Sequence, residues 1–180
     1  MAKGDTYPAE AEVYRSDRLT IRPLTAADAQ AYVEHTHANK QDLDAVDIYV
    51  PTDLNDVLTK IKYASPEGGE DYGIWEGEQL VGGIDLFSEV NRDPQEPKIA
   101  WIAYWIDKAH RGKGIAKEVV RGVVDHAFGP LGFATIKAGV KSHNVASQKT
   151  LEAIGFIHTN THPKTGSFTY TLEKPETPAV

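Results

Sequence analysis

Glycines and basic residues alternate in a short loop between an apolar segment and a segment of helical pattern. Residues 99–106 are apolar at almost every position, which predicts a central strand covered on both faces. Apolar residues in the segment 115–128 recur at helical spacing and form a wide stripe. The junction between the two segments reads Arg111-Gly112-Lys113-Gly114. The sequence therefore predicts a glycine-containing loop at the N-terminus of a helix.

This loop has the chemistry of an anion site. Glycine has no Cβ, so backbone N–H groups near Gly112 and Gly114 can approach a ligand closely. The first turn of a helix leaves N–H donors without internal partners, and the helix dipole, Arg111 and Lys113 add positive charge. We therefore expect a phosphate or pyrophosphate group here. A Walker P-loop is excluded because Gly114 rather than Ser or Thr follows Lys113, and a dinucleotide fingerprint needs a third glycine.

The loop resembles the signature of an enzyme family. Residues 111–116 match the Arg/Gln-x-x-Gly-x-Gly/Ala signature of the GNAT acyltransferases, in which it holds the pyrophosphate of acetyl-CoA. Residues 144–156 resemble the second family segment, an Asn-x-x-Ser helix ending in Gly-Phe, and residues 19–29 resemble the opening strand and helix. The sequence of residues 104–107, Tyr-Trp-Ile-Asp, is most similar to that of the Rim-type branch. That branch acetylates N-terminal amines of ribosomal proteins and has relatives that act on small amines and antibiotics.

Periodicity along the chain predicts the element order β-α-α-β-β-β-α-β-α-β-β, a mixed α/β fold with an antiparallel meander and one parallel crossover. The resemblance implies the GNAT fold, a central, mostly antiparallel sheet with a splayed parallel strand pair and flanking helices. We expect one domain over residues 13–174, a flexible leader over 1–12 and a frayed tail over 175–180. Residues 39–52 are predicted to be a long loop, which in the resembling family covers the acceptor site.

The resemblance also implies a set of residues for acetyl-CoA, with no metal. Backbone groups of residues 104–106 would pair with the pantetheine arm, while the Trp105 side chain itself is more typical of core packing than of ligand contact. Asn144 would bond the pantetheine amide, although its position also suits a helix N-cap, and Ser147 would lie near the sulfur and protonate the departing thiolate. Lys141 and Lys149 fit either the adenosine phosphates or plain solvation. The complete set is Tyr104, Trp105, Ile106, Arg111, Gly112, Lys113, Gly114, Ile115, Ala116, Asn144, Ser147 and Lys149.

The general base stays open at this stage. The central strand, residues 99–106, contains no carboxylate of the kind that some family members use there. Rim-type enzymes place a glutamate on the late hairpin, where this chain offers His158 and His162 instead. Asp85 and Glu89 lie at the end of the preceding strand and are carboxylate candidates, with a water relay relaxing the distance requirement.

The amino-acid composition limits the classes of partner and of chemistry that the protein can have. The 180 residues include 19 basic and 26 acidic ones, a net charge of −7 that argues against nucleic acid or an anionic membrane as the main partner. Acidic residues in segments expected to flank the acceptor mouth favour a cationic amine; they are Asp42, Asp44, Asp47, Asp85 and Glu89. The chain has no cysteine, which excludes thiol catalysis and zinc–thiolate sites. Without a signal peptide or a long apolar run, a cytoplasmic protein is expected.

Two functions of different class fit these observations. The first is an acetyl-CoA-dependent N-acetyltransferase in which a primary amine attacks directly in a ternary complex. The amine would belong to a protein N-terminus or to a small molecule such as a polyamine or an antibiotic. The alternative is a catalytically silent CoA-binding regulatory module on the same fold, and a purely structural domain is a third reading. The sequence leaves the acceptor and the oligomeric state open, a homodimer included.

Overall fold

Eight strands form one sheet in the computed structural model, which describes residues 13–63, 70–89 and 95–176. The strand order is β1-β2-β3-β4-β5-β6-β8-β7, and every described neighbour pair is antiparallel except β5 and β6, which are parallel. The strands are β1 Tyr14–Arg15, β2 Leu19–Pro23, β3 Glu70–Glu76, β4 Gln79–Ser88, β5 Ile99–Ile106, β6 Thr135–Val140, β7 Ile157–Thr161 and β8 Phe168–Glu173. This architecture confirms the predicted fold class.

Five α-helices flank the sheet within the described residues. They are α1 Ala29–Ala38, α2 Lys40–Asp44, α3 Leu54–Tyr63, α4 Ile115–Phe128 and α5 Val145–Glu152, with 3-10 turns at Ala26–Asp28 and Lys108–His110. Two details differ from the predicted order. A short strand that the predicted order lacks, β1, pairs antiparallel with β2, and residues 40–44 form a helix within the segment predicted to be a loop. The leader over residues 1–12 and the tail residues 177–180 lie outside the described part of the chain.

The two faces of the sheet carry separate apolar clusters. On one face α4 packs Val119, Val120 and Val123 against inward-facing strand residues such as Ile21 and Ile102. On the other face, α1 and α3 cover Trp75 and Trp105. β5 contributes to both clusters, which explains why its sequence is apolar at successive positions rather than alternating. No helix in the described residues has the length and hydropathy needed to cross a bilayer.

The feature that positions the site is a fork between β5 and β6. Their parallel pairing runs from Ile99–Thr135 to Ile102–Ala138 and then ends. β5 continues beside β4 to Ile106, while β6 continues beside β8 to Val140. Gly82 lets the end of β5 approach β4 closely, because a Cβ built at Gly82 would lie only 2.4 Å from the Trp105 carbonyl oxygen. We call the gap beyond Ile102 and Ala138 the fork.

Candidate active site

Two cavities meet at the fork. The larger, of about 400 Å³, lies along the loop before α4 and extends to the start of α5. The smaller, of about 40 Å³, lies between the diverging ends of β5 and β6. Four residues line both cavities and mark the point where the two meet, namely Val46, Tyr104, Asn144 and Ser147.

The predicted anion loop is built as its sequence requires. Gly112 and Gly114 both have φ +77°, a left-handed conformation that side chains other than glycine rarely adopt. A Cβ at Gly112 would meet no atom within 4 Å, so the space above the loop is open to a ligand. Gly114 is the N-cap of α4, and the first N–H groups of this helix point out of its end without intrahelical acceptors. This donor set fits the pyrophosphate of acetyl-CoA.

Two arginines beside the loop, Arg18 and Arg111, are paired with carboxylates. The guanidinium of Arg111 donates from Nε to the Ile106 carbonyl at 2.9 Å and from Nη1 to Asp42 at 2.6 Å. The hydrogen bond and charge of Arg111 lower the pKa of Asp42. On the other side of the helix entrance, Arg18 pairs with Glu118 and donates to the Lys113 carbonyl at 3.1 Å. Arg18 thereby neutralises an acidic side chain in the first turn of α4, where free negative charge would oppose phosphate binding.

Asn144 and Ser147 lie on one face at the start of α5, as predicted. The Asn144 side chain accepts from the Ser147 backbone N–H at 3.2 Å and is therefore the N-cap of this helix. It also lines both cavities, so the capping and the ligand-binding interpretations are compatible. Lys149 is exposed on the same helix, and Lys141 pairs with Asp47, so neither lysine is directed at a phosphate site by its described contacts.

A hydroxyl pair lies at the fork. The Tyr104 hydroxyl is 2.9 Å from Ser147 Oγ, and either atom can donate. Burial raises the pKa of Tyr104 against the opposing effect of hydrogen bonds with Ser147 and Thr150, so the phenol stays protonated at neutral pH. Sequence reasoning assigned only the backbone of Tyr104 to the site. The side chain was missed because an aromatic residue in an apolar strand usually packs in the core.

Trp105 points to the opposite face of β5. Its side chain is buried, packs edge-on against Tyr32 with ring centroids 5.9 Å apart, and also lines the larger cavity. The indole lies directly over Gly83, because a Cβ built there would be 2.6 Å from Trp105 Nε1. Trp105 is thus a core residue that also forms a wall of the site.

Residues 39–50, which we call the strap, cross the mouth of the fork. At one side, Asn39 accepts from the Lys108 N–H at 3.1 Å and Asp42 binds Arg111. At the other side, His143 contacts the Ala45 carbonyl at 3.0 Å and Lys141 pairs with Asp47. Apolar strap residues then line the two cavities, namely Leu43, Val46 and Ile48. The strap therefore forms part of the wall of both cavities.

The four base candidates differ in their distance from the fork. Asp85 lies directly opposite Ala103 on β5, and Ala103 lines the smaller cavity. Glu89 lies four residues further along the chain from Asp85, about 13 Å at the usual strand rise. There its carboxylate accepts from Trp101 Nε1 at 2.9 Å and Lys137 Nζ at 3.0 Å, contacts that lower its pKa.

The two histidines lie on the last hairpin. His158 stacks on Phe168 with ring centroids 4.6 Å apart, and His162 is exposed with its Nδ1 bonded to Thr165. β7 is separated from β6 by β8, so these side chains start about 10 Å from the fork. The structure thus brings Asp85 and Ser147 towards the fork and leaves Glu89, His158 and His162 away from it.

A forked sheet with a glycine anion loop beside it and a hydroxyl pair at its branch point is the architecture of an acyl-CoA-dependent acetyltransferase. A family model described as the acetyltransferase (GNAT) domain matches residues 18–157, and the chain belongs to this family.

Individual proteins agree with this assignment. The chain is 34% identical over 147 residues to the "Probable N-acetyltransferase YjcK" of Bacillus subtilis, covering 77% of this chain and 80% of that protein. Among solved structures it resembles Mycobacterium smegmatis RimJ in complex with CoA-disulfide, with a TM-score of 0.76, 20% identity, and coverage of 89% and 84%. It also resembles the Salmonella typhimurium acetyl transferase that modifies the N-terminal serine of ribosomal protein L7/L12, with a TM-score of 0.76, 18% identity, and coverage of 92% and 100%. The family model and the curated relative confirm the predicted superfamily and enzyme class, and the two solved structures confirm the fold.

Proposed function

We propose that this protein transfers the acetyl group of acetyl-CoA to a primary amine, with both substrates bound together so that the amine attacks directly. The observation that carries the proposal is the Tyr104–Ser147 hydroxyl pair, 2.9 Å apart, at the branch point between the anion loop and the small cavity. The absence of cysteine from the chain removes an enzyme thioester as an alternative route.

The chain offers a continuous set of contacts for acetyl-CoA. Backbone N–H groups of residues 112–116 suit the pyrophosphate, and the Asn144 side chain with the part of β5 beyond its pairing with β6 suits the amides of the pantetheine arm. When bound, acetyl-CoA supplies an acetyl group activated as a thioester. Backbone donors at the end of β5 are suited to stabilise negative charge on the acetyl oxygen during transfer.

The hydroxyl pair supplies a proton to the leaving sulfur. Transfer forms one C–N bond and breaks one C–S bond, and the sulfur must be protonated to leave as free thiol. Ser147 is the donor in this scheme, and Tyr104, which is buried and protonated, hydrogen-bonds to the serine oxygen and replaces its proton. Tyr104 in this role acts through Ser147 and is a positioning residue.

The acceptor is chosen by the strap and by the acidic residues beside the fork. The Salmonella relative acts on a protein N-terminus, and a free N-terminus, a polyamine and an aminoglycoside share a primary amine that is cationic in solution. We therefore place a cationic primary amine of this kind in the small cavity between Ala103 and the strap. A cytoplasmic location fits such substrates.

Release of free CoA thiol tests the proposal. Purified protein is incubated with acetyl-CoA and a panel containing basic N-terminal peptides, spermidine, an aminoglycoside and simple monoamines, and acetylated products are identified by mass. An enzyme releases thiol in proportion to acetylated amine for at least one member of the panel. Binding of acetyl-CoA in calorimetry without turnover of any amine would instead favour the silent CoA-binding module, and no heat of binding would contradict both functions.

A further inference from the structure

Two aspartates face each other on adjacent strands beside the fork. Asp71 on β3 and Asp85 on β4 are directly opposite each other in the antiparallel register. Side chains at such positions have Cβ atoms about 5 Å apart and interact strongly. On the other side of Asp85 the opposite residue is Ala103, which lines the small cavity. The aspartate pair is therefore one strand away from the branch point.

The surroundings of the pair are specific. Lys60 on α3 reaches down to Asp71, with Nζ 2.8 Å from Oδ1, and its ammonium group also lies 5.3 Å from the Tyr49 ring of the strap. Tyr32 on α1 is buried against Trp105. Burial raises the pKa of Tyr32, and the negative charges of Asp85 and Asp71 raise it further. The titratable groups that face Asp85 are thus Asp71, Lys60 and Tyr32, and Ala103 on β5 adds no charge.

The charges of Asp71, Asp85 and Lys60 do not cancel when all three side chains are ionised. Two ionised carboxylates and one lysine leave a net charge of −1 in a partly buried place, and such a charge is costly unless a proton or a cation compensates it. Burial raises the pKa of Asp85 well above its ordinary value, the charge of Asp71 raises it further, and Lys60 opposes them. Either a shared proton or an incoming ammonium group would restore neutrality.

We propose that the Asp71–Asp85 pair, fixed by Lys60, holds the ammonium head of the acceptor beside the fork and that Asp85 takes its proton. This inference rests on the proposed acetyltransferase function and names the proton acceptor of that same site. Asp85 is the catalytic residue, while Asp71 and Lys60 act through it as positioning residues. Sequence reasoning named Asp85 but had no means of finding its two partners.

The protons balance in this scheme. An ammonium group loses two protons on becoming an amide: one goes to Asp85 before the C–N bond forms and then to solvent, and the second passes to solvent as the bond forms. The sulfur gains one proton from the Ser147–Tyr104 pair when the C–S bond breaks, and the pair regains one proton from solvent. Two protons given to solvent and one taken back leave a net release of one proton. Since Asp85 must be ionised to accept, kcat/KM rises as the pH rises through its pKa.

Opposite shifts of the pH profile test the pair. Asp71→Asn removes a neighbour that raises the Asp85 pKa, so the rising limb of kcat/KM should move to lower pH. Lys60→Met removes a neighbour that lowers it, so the same limb should move to higher pH. Asp85→Asn should lower kcat/KM by about 10²- to 10⁴-fold, the usual range for a proton-transfer group. One amine is used throughout, so its own ionisation is common to all variants.

A readout independent of turnover accompanies the kinetics. NMR titration of the side-chain carboxyl carbons should show the Asp85 resonance moving in the same opposite directions in the Asp71 and Lys60 variants. Glu173→Gln is the matched control, because its carboxylate lies on β8 bonded to the Thr135 hydroxyl and far from the pair. Its profile should coincide with that of the wild type, and the affinity for CoA should be unchanged in all variants.

The outcomes separate the two proposals. An active wild type whose pH profile and carboxyl titration are unmoved by both Asp71→Asn and Lys60→Met overturns the inference and leaves the acetyltransferase standing. If the wild type never releases thiol, the proposed function fails, whereas the carboxyl titration still reports whether the pair shares a proton. Shifts of both variants in the same direction would also overturn the inference.

Discussion

At the scale of single residues, the proposed mechanism makes the hydroxyls of Tyr104 and Ser147 act as one unit. They come from different elements, β5 and α5, and meet at 2.9 Å. Groups that share a hydrogen bond and one proton give effects that do not add when they are removed together. Removing either hydroxyl should therefore interrupt the same proton transfer.

Ser147→Ala should leave CoA affinity nearly intact and lower kcat by about ten- to a thousandfold, because it removes the proton donor but not the binding groups. Tyr104→Phe keeps the buried ring and should cost less. The double variant should lose little more than Ser147→Ala alone. Calorimetry with CoA and steady-state kinetics check these values, with Ser88→Ala at the far end of β4 as the control. Unchanged turnover in Ser147→Ala, or fully additive losses, would remove the pair from the mechanism.

The residues of the site differ in how far sequence reveals them. Ser147 and Asn144 could be found from a local motif, because residues spaced three apart at the start of a helix lie on the same face. Asp71 and Lys60 could not be found in this way, because their meeting with Asp85 depends on the β3–β4 register and on the packing of α3. Only the identity of Asp85 as a carboxylate near a strand end was visible in the sequence.

At the scale of elements, the loop before α4 depends on backbone geometry. Gly112 and Gly114 adopt the same φ of +77°, and the nearest atom to a Cβ at Gly114 would be Arg18 Nη2, 3.8 Å away. Space for a side chain therefore exists, but it is the space that a bound phosphate would use. A substitution there should add two separate costs, backbone strain and loss of the ligand site.

Gly114→Val should weaken CoA binding at least tenfold, which is more than its loss of folding stability accounts for. Gly77→Val is the matched control, because Gly77 has φ +62° in the β3–β4 turn and no atom within 4 Å of its Cβ position. Both variants should lose about 1–2 kcal/mol of unfolding free energy from the strained backbone. Thermal unfolding and calorimetry separate the two effects. Similar CoA affinity in the two variants would identify Gly114 as a purely structural glycine.

Long helices and strands with a clear hydrophobic pattern could be predicted from the sequence, whereas the helix in the strap could not. α4 shows its stripe over four turns, and β5 shows an apolar run, so local periodicity suffices for both. α2 has only five residues and buries only Leu43, so the helix is too short to show a periodic hydrophobic pattern in the sequence. Helices of this length are unstable alone, and contacts made at a distance, Asn39 with Lys108 and Asp42 with Arg111, hold this one.

At the scale of the whole molecule, the charge at the acceptor mouth is nearly balanced. The sequence predicted an acidic mouth from five carboxylates, and the structure pairs four of them with cations in the described residues: Asp42 with Arg111, Asp44 with Lys40, Asp47 with Lys141, and Glu89 with Lys137. Asp85 alone shares a single lysine with a second carboxylate. Residue counts could not reveal three of these pairs, because their partners come from separate elements; only Lys40 and Asp44 lie four residues apart within one helix.

Salt should therefore affect the reaction only modestly. The net charge of −7 still attracts a cation at long range, but exposed pairs close to the fork cancel most of the local field. Raising NaCl from low to high concentration shortens the Debye length from about 30 Å at 0.01 M to about 3 Å at 1 M. We expect kcat/KM for spermidine to fall by about two- to fivefold over this range, the size of a long-range steering effect at a weakly charged mouth.

Comparison of acceptors gives this expectation its control. A simple monoamine carries less charge than spermidine, so its kcat/KM should fall less, and kcat should be unchanged for both because salt acts on encounter rather than on the bound complex. The measurement is steady-state kinetics with each amine over the salt series at fixed pH. A hundredfold fall would mean that the carboxylates act as free charges despite their partners. A rise with salt, or a preference for acidic peptides, would mean that the molecule repels its acceptor, and the substrate would then have to be sought among anionic amines.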